Sequence, residues 1–500
     1  MTASAATEPL PAATNTTETR FDLALVIAAG LVLYALNVDF SLFGDAPVYA
    51  DLVIQGRFDE LTLHIGYYAV LFALDRTVGA VFGLPIQETA VWLNVVAGAL
   101  TLGVVYLLAR IFLGTRRDAL LTVAVFAVSG RVLDNATTVE IYMLQTLLVL
   151  SSFYLFARER VVASGVVAAL AMLVSPLSIF AYLFYPVLDY QRAGRVRWKV
   201  LITLTVAALL VYLPYFAVLG RELLWGTRGL LVINKALRLD PVAMALNFPL
   251  FQFKAYTVML LLLIPALFAV RKERRFLAVT LAVAIPHLYV ILKLTSEDNV
   301  FILNTDFFFA CWVVIGWRTL AQSKVGRRLA PVPWLGHLTL LLLSGSIFCF
   351  QPRRGYAAEM KSIGQTYVQG HDAVVITDWD MGVSLTYYAR PAVTTTLEHE
   401  PFYQQIVDLD NLPKNPPPIT AAEIYLLDSW KPGTLNRLLR SKASIAAQTR
   451  QHAVVARAER RLHIQCTPLL QGTHRLYRCT RPNGAAAEPA LTPPPSRGPA

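Results

Sequence analysis

The sequence predicts a polytopic α-helical membrane protein, with about eleven transmembrane helices, a juxtamembrane helix and a C-terminal soluble α/β domain. Three observations carry this. The 500 residues are 56% hydrophobic and 15% charged, with mean hydropathy +0.51, against about 25% charged in ordinary soluble proteins. Twelve apolar stretches, each near the length a bilayer span requires, follow one another up to residue 350. Beyond 350 the gaps between charges shorten, and short strand-like runs alternate with turns.

Residues 1–20 are polar, small and Pro/Thr-rich, and read as a disordered cytoplasmic tail. The apolar stretches lie at 22–38, 66–84, 90–113, 118–133, 139–157, 161–175, 176–190, 200–219, 251–270, 276–293, 301–320 and 332–350. The first is longer than a signal-peptide core and ends in Asn37-Val38-Asp39 without a small-residue cleavage site, so it reads as a retained helix. The membrane domain is therefore 21–350, the soluble domain 351–480, and the Ala/Pro-rich segment 481–500 a second disordered tail.

The 44 Lys and Arg exceed the 33 Asp and Glu, giving +11. In so apolar a chain this is first an orientation signal, because cytoplasmic loops collect Lys and Arg. The clusters are Arg20; Arg110, Arg116 and Arg117; Arg158 and Arg160; Arg192 to Lys199; Arg271 to Arg275; and Arg318 to Arg328. All fall inside if 66–84 does not cross, and that stretch carries Asp75-Arg76 midway with Gly79, Gly83 and Pro85 near its end. The expectation is eleven crossings, N-terminus cytoplasmic and C-terminal domain extracytoplasmic, in the plasma membrane. The rival is twelve crossings with both ends inside, which inverts the later clusters relative to Arg20. No nucleic-acid partner is indicated.

This topology gives an acidic first outer loop, 39–65, with Asp39, Asp45, Asp51, Asp59 and Glu60 against Arg57. A short outer loop, 131–140, carries Arg131, Asp134 and Glu140, and a longer one, 218–250, carries Arg221, Arg228, Lys235 and Arg238. Asp45 sits in a shaped turn, Gly44-Asp45-Ala46-Pro47, just beyond the first span. A carboxylate at the membrane is costly and usually functional, although a solvated turn residue is the plain alternative. Glu140 opens a later span on the same face, in Val139-Glu140-Ile141-Tyr142. Its plain alternative is a first-turn acid favoured by the helix dipole, with Thr137-Thr138 nearby for capping.

These residues, together with His64-Ile65-Gly66-Tyr67-Tyr68 in the first outer segment, resemble the GT-C superfamily and, more narrowly, its protein O-mannosyltransferase-like branch. The resemblance implies a multi-pass glycosyltransferase with the catalytic Asp in its first outer loop, here Asp45. It also implies juxtamembrane helices in that loop, an outer C-terminal domain and a sugar donor carried on polyprenyl phosphate. His64 and Tyr67 become first-loop candidates, and Glu140 a supporting carboxylate. His64-Ile65-Gly66 stands where the family often has a His-Pro-Pro-Gly-like stretch.

Transfer from such a donor needs the acceptor hydroxyl deprotonated, which one carboxylate can do as general base. The leaving phosphate needs cations, for which Arg131, Arg221 and Arg228 are candidates, since Arg binds phosphate bidentately; lipid headgroup contact is the alternative. In the soluble domain Ala373–Thr377 reads as a buried strand followed by Asp378-Trp379-Asp380 and a helix from about Val383. Ligands favour such strand C-terminal ends, and the GT-C resemblance implies Asp378 and Asp380 as candidates for acceptor recognition, with a helix cap as the plain alternative. Ile424–Leu427 reads as a second strand. Cys466 and Cys479 could pair if the domain lies outside, whereas Cys311 and Cys349 sit in apolar stretches as packing residues.

There is no P-loop, G-x-G-x-x-G, His-Glu-x-x-His or G-x-S-x-G sequence. No cofactor is indicated; a divalent metal is compatible with the chemistry, but no ligand spacing indicates one. The expected function is transfer of a sugar from a polyprenyl-phosphate donor to a protein, lipid or glycan acceptor on the outer face, with inversion. The alternatives are a transporter or flippase of a lipid-linked glycan, which predicts ionisable residues within the spans, and a non-catalytic scaffold presenting residues 351–480.

Overall fold

The computed structural model describes residues 16–42, 46–56, 64–225, 252, 255–294, 303–323, 356–377, 379–389, 405–408, 419–428, 455, 458–471 and 475–481. They form two compact units. The first is Met1–Ser41 with Leu52–Arg354; the second is Leu42–Asp51 with Gly355–Ala500.

The first unit is helical. Its helices are α1 (Thr16–Ala35), α3 (Ile65–Phe82), α4 (Ile86–Leu113), α5 (Arg116–Ala127), α6 (Gly130–Thr137), α7 (Tyr142–Ala157), α8 (Val161–Val174), α9 (Phe184–Ala193), α10 (Trp198–Trp225), α11 (Leu263–Leu267), α12 (Arg274–Leu294) and α13 (Asp306–Gln322). Helix α2 (Ala46–Gln55) lies between α1 and α3 in the chain. The first turn of α1 takes up Thr16–Arg20, correcting the expected tail there. Asp75–Gly79 of α3 is a π-helical segment. The expected stretch at 118–133 is not one straight helix: α5 and α6 bend by 65°, where Ser129 caps a new helix at Val132 N. A short 3₁₀ segment at Pro176–Ala181 starts the stretch 176–190, and another at Thr257–Leu262 lies within 251–270. Helix α10 runs on to Trp225, so 218–225 is helical rather than loop. The stretch 332–350 lies outside the described residues.

Among the described residues, α3 and α4 are each long and apolar enough to cross a membrane, and the bent pair α5–α6 counts as a third if taken as one span. The chain is an integral membrane protein. The core of the first unit is aromatic, with Phe153 stacked on Phe184 at 3.8 Å and Phe307, Phe308 and Phe276 around them. One end of the bundle is tied by ion pairs. Arg116 bonds Asp22 at 2.6 Å and Glu18 at 2.9 Å, Arg197 bonds Asp189 at 2.7 Å, and Arg318 bonds Glu273 at 2.5 Å. Three of the basic clusters seen in the sequence thus come with acidic partners.

The second unit holds α14 (Tyr356–Tyr367), β1 (Ala373–Thr377), α15 (Trp379–Ala389), β2 (Ile406–Asp408), β3 (Glu423–Asp428), β4 (Gln465–Gln471) and β5 (Arg475–Thr480). The sheet order is β2-β1-β3-β5-β4; β1 is parallel to β2 and β3, and β5 is antiparallel to β3 and β4. Alternate residues serve two cores. Ala373, Val375, Tyr425 and Leu427 pack with Met360, Ile363 and Leu385. Val374, Ile376, Ile424 and Leu426 pack with Ala458 and Ile464. Burial on both faces explains why these strands read as unbroken apolar runs. The helix expected from about Val383 begins earlier, at Trp379.

Cys466 and Cys479 face each other across β4 and β5 and are disulfide-bonded, closing a loop of sequence separation 13. A loop of this size contributes about 3 kcal/mol. Cys479→Ser should therefore lower amide exchange protection in β5 by about a hundredfold by that relation, read in the intact protein in nanodiscs. Unchanged protection would show that the strand pairing alone holds this edge.

Candidate functional site

At the end of the bundle away from those ion pairs, a polar cluster joins several helix ends. The C-terminal end of α6 leads to Thr138, Val139 and Glu140, and α7 begins at Tyr142. This short link is held from α4. Asn94 Nδ2 donates to Thr138 O at 2.8 Å and to Glu140 O at 2.6 Å. Asn94 is fully buried, so its amide replaces the water those two carbonyls would otherwise need. The chain beyond α1 joins the same place, with Asp39 N donating to Thr137 O at 2.8 Å. The Asp39 carboxylate accepts from Ser41 N at 2.9 Å, a local turn.

Glu140 is half-buried and precedes α7 rather than opening it; Ile141 is the N-cap and makes no side-chain cap bond. The capping alternative fails for Thr137 and Thr138 as well. Their hydroxyls donate back to Leu133 O and Asp134 O within α6, so neither serves α7. Tyr67, in the first turn of α3, is buried, with its hydroxyl near the Asn94 side chain and in the field of the Glu140 carboxylate. His64 caps α3 by position, and its Nδ1–H donates to Val174 O, the last residue of α8, at 2.9 Å. A carbonyl can only accept, so this bond fixes the proton on Nδ1.

Gly66 makes that approach feasible. A Cβ there would meet Leu173 C at 2.8 Å and Val174 N at 2.9 Å. Gly66→Ala should push α3 off the end of α8, break the His64 bond and cost about 1–3 kcal/mol. Faster exchange at the Tyr67 and Tyr68 amides would register it; wild-type exchange would show that the two helices yield without strain.

The structure thus brings His64, Tyr67 and Glu140 to one end of the first unit. Arg131 is not on a short outer loop. It lies in α6 with its guanidinium on Asp306 Oδ1 at 2.5 Å, both side chains fully buried. Tyr256 donates to Asp306 O at 3.0 Å. Nearby in the fold order, Thr146 donates to Asn304 Oδ1 at 3.1 Å, and Asn304 Nδ2 approaches His287 Nε2 at 3.3 Å. Arg131, in the stretch 118–133, and Asp306, in the stretch 301–320, thus join Asp75-Arg76 as charges within the apolar stretches. Asp45, Arg228 and Asp378 lie outside the described residues, as do the side chains of Arg221, in α10, and Asp380, in the first turn of α15. Asn94 and Asp306 were not singled out from the sequence. Among the described residues no group of three His, Cys, Asp or Glu side chains converges as a cation site.

No protein-family model matches the chain, and no curated protein matches its sequence. Among solved structures, the fold is similar to ArnT from Cupriavidus metallidurans bound to undecaprenyl phosphate. That similarity has TM-score 0.55 and 13% identity, and covers 94% of this chain and 99% of that one. It is also similar to the archaeal oligosaccharyltransferase AglB from Archaeoglobus fulgidus in complex with an inhibitory peptide and a dolichol-phosphate. There the TM-score is 0.52 and the identity 12%, over 75% of this chain and 64% of that one. At such identities the likeness is one of fold. The resemblance to GT-C membrane glycosyltransferases read from the sequence holds at that level.

Proposed function

We propose that this chain is a membrane glycosyltransferase of the GT-C kind, nearest the protein O-mannosyltransferase-like branch. It takes a sugar from polyprenyl phosphate and passes it to an acceptor on the extracytoplasmic face. The observation that carries the reading is the likeness, over nearly the whole of both chains, to ArnT, a protein whose structure holds undecaprenyl phosphate. The polar end of the bundle supports it, because Glu140, Tyr67 and His64 gather at the end of the first unit where Asp39, beyond α1, bonds Thr137 O. The disulfide supports an extracytoplasmic second unit, since such bonds persist in oxidising compartments.

In the reaction, the acceptor hydroxyl attacks the anomeric carbon from the face opposite the phosphate. A new C–O bond forms, the bond from carbon to phosphate oxygen breaks, and configuration inverts. Asp45 takes the hydroxyl proton, and polyprenyl phosphate leaves with the bonding pair. Glu140 supports the acceptor or the base. Because Arg131 is buried on Asp306, the reading assigns the leaving phosphate to Arg221 and Arg228, and Arg131 joins them only if Asp306 gives way. His64, Tyr67, Asp378 and Asp380 are the acceptor-side candidates. Eleven crossings with 66–84 not crossing remains the proposed topology, although α3 has the length and composition of a span.

One observation favours the transporter or flippase reading: ionisable residues buried within an apolar bundle often mark a pathway, and Arg131–Asp306 is such a pair. A single experiment separates the two. Purified protein in nanodiscs is incubated with radiolabelled polyprenyl-phosphate sugars and a cell-envelope extract. Label should move to a new acceptor with release of polyprenyl phosphate. Label that stays on the lipid with every donor overturns the transferase reading.

A further inference from the structure

The second unit contains a stretch far from it in sequence, Leu42–Asp51, and the way it is held there has a consequence for the reaction. Leu42 is completely buried. Its backbone N–H donates to the Tyr388 hydroxyl at 2.5 Å, and its carbonyl accepts from the Ser384 hydroxyl at 3.4 Å. Tyr388 and Ser384 are four residues apart and therefore share one face of α15. Both polar groups of one buried peptide residue are thus taken by side chains more than three hundred positions away. Without them the two groups would be left unpaired in a buried site.

The helix that supplies these hydroxyls is itself firmly seated. A Cβ at Gly382 would meet Ile406 Cγ2 at 3.0 Å and Thr377 Cγ2 at 3.4 Å, so α15 lies directly against β1 and β2. Leu385, between the two anchoring residues, is in the core of the sheet. On the other side of Asp45, Ala46, Tyr49 and Ala50 of α2 are also buried. Asp45 is therefore bracketed, three residues after Leu42 and one before Ala46, by buried positions of the same unit.

We propose that Tyr388 and Ser384 are positioning residues for the sugar-transfer reaction, holding through Leu42 the segment that presents Asp45. The proposal rests on the transferase reading above. The soluble domain then serves the chemistry directly by fixing the base, in addition to any role in recognising the acceptor. Small displacements of a catalytic group lower the rate steeply while leaving substrate affinity nearly intact.

The test uses full-length protein in nanodiscs carrying Y388F, which removes one hydroxyl. Y425F is the control, because it removes a hydroxyl in the same unit that bonds Glu423 at 3.0 Å, outside the proposed anchor. Y388F should raise hydrogen exchange at the Leu42 amide and lower kcat, each by about tenfold. The KM for polyprenyl-phosphate sugar and the pH profile should stay as in wild type, because the base is unchanged in identity. If Y388F also loosens β1, S384A carries the same two measurements, since it removes a single hydroxyl from the carbonyl side. Wild-type kcat in both variants overturns the proposal, whether or not exchange at Leu42 rises. Failure of the transferase reading is seen separately, as a wild-type protein that transfers no sugar at all.

Discussion

Asp306→Ala unfolds the first unit about 3–5 kcal/mol more readily than wild type, because it strands a buried guanidinium. Arg131 and Asp306 lie on α6 and α13, are fully buried, and meet at 2.5 Å. Taking two charges out of water is costly, and their attraction offsets that cost only while both are present. The Asp306 backbone would remain bound through Tyr256, and Asn135 would still donate to Arg131 O at 2.9 Å. The loss therefore reports on the carboxylate rather than on a collapse of both helices. Arg131→Met should be as harmful as Asp306→Ala, for the mirror-image reason. The double variant Arg131→Met with Asp306→Leu should recover most of the loss, since apolar pairs of similar size often replace a buried ion pair without penalty. Denaturation of wild type, Asp306→Leu, Arg131→Met and the double variant in matched nanodiscs closes the cycle. Additive single effects, with no recovery in the double variant, would show that the two side chains are not coupled.

The elements that depend on composition were legible in the sequence, and those that depend on partners far along the chain were not. The stretch 90–113 became α4, Ile86–Leu113, and the strand at Ala373–Thr377 is found with the same bounds. Apolar length and β-branched runs dictate both outcomes locally. The pairing of Cys466 with Cys479 was expected on the condition that their domain lies outside. By contrast, Ser129-Gly130 lies inside an apolar run, and hydropathy alone cannot show that Ser129 restarts the helix there. Asn94 reads as one neutral polar residue in a long apolar helix. Its partners are backbone carbonyls 44 and 46 residues away, which leave no side-chain pattern. Asp306 at the head of α13 reads as an acid placed to suit the helix dipole, yet its partner lies 175 residues earlier. The candidate site was visible in its residue types, Tyr67 and Glu140 among them. The amide that clasps the Glu140 segment was not.

Asp45→Asn should lower sugar transfer by about 10²–10⁴-fold in kcat, the usual contribution of a positioned general base, with folding and donor affinity near wild type. Asparagine keeps the size and hydrogen-bonding shape of the side chain but cannot accept the hydroxyl proton. Glu140→Gln should cost less, because the Glu140 segment is held through its backbone carbonyl by Asn94 at 2.6 Å, and this bond survives the change. Asn94→Ala then isolates placement from charge. It leaves the Glu140 carboxylate in the protein but frees Thr138 O and Glu140 O, each buried carbonyl costing about 1–3 kcal/mol when unpaired. If Glu140 supports the acceptor, Asn94→Ala should raise the acceptor KM and spare the donor KM. If it supports the base, Asn94→Ala should lower kcat and leave both KM values alone. Turnover by Asp45→Asn at the wild-type rate would remove Asp45 from the chemistry. A loss in Glu140→Gln deeper than in Asp45→Asn would exchange the two roles, placing the base on the link between α6 and α7 that Asn94 holds.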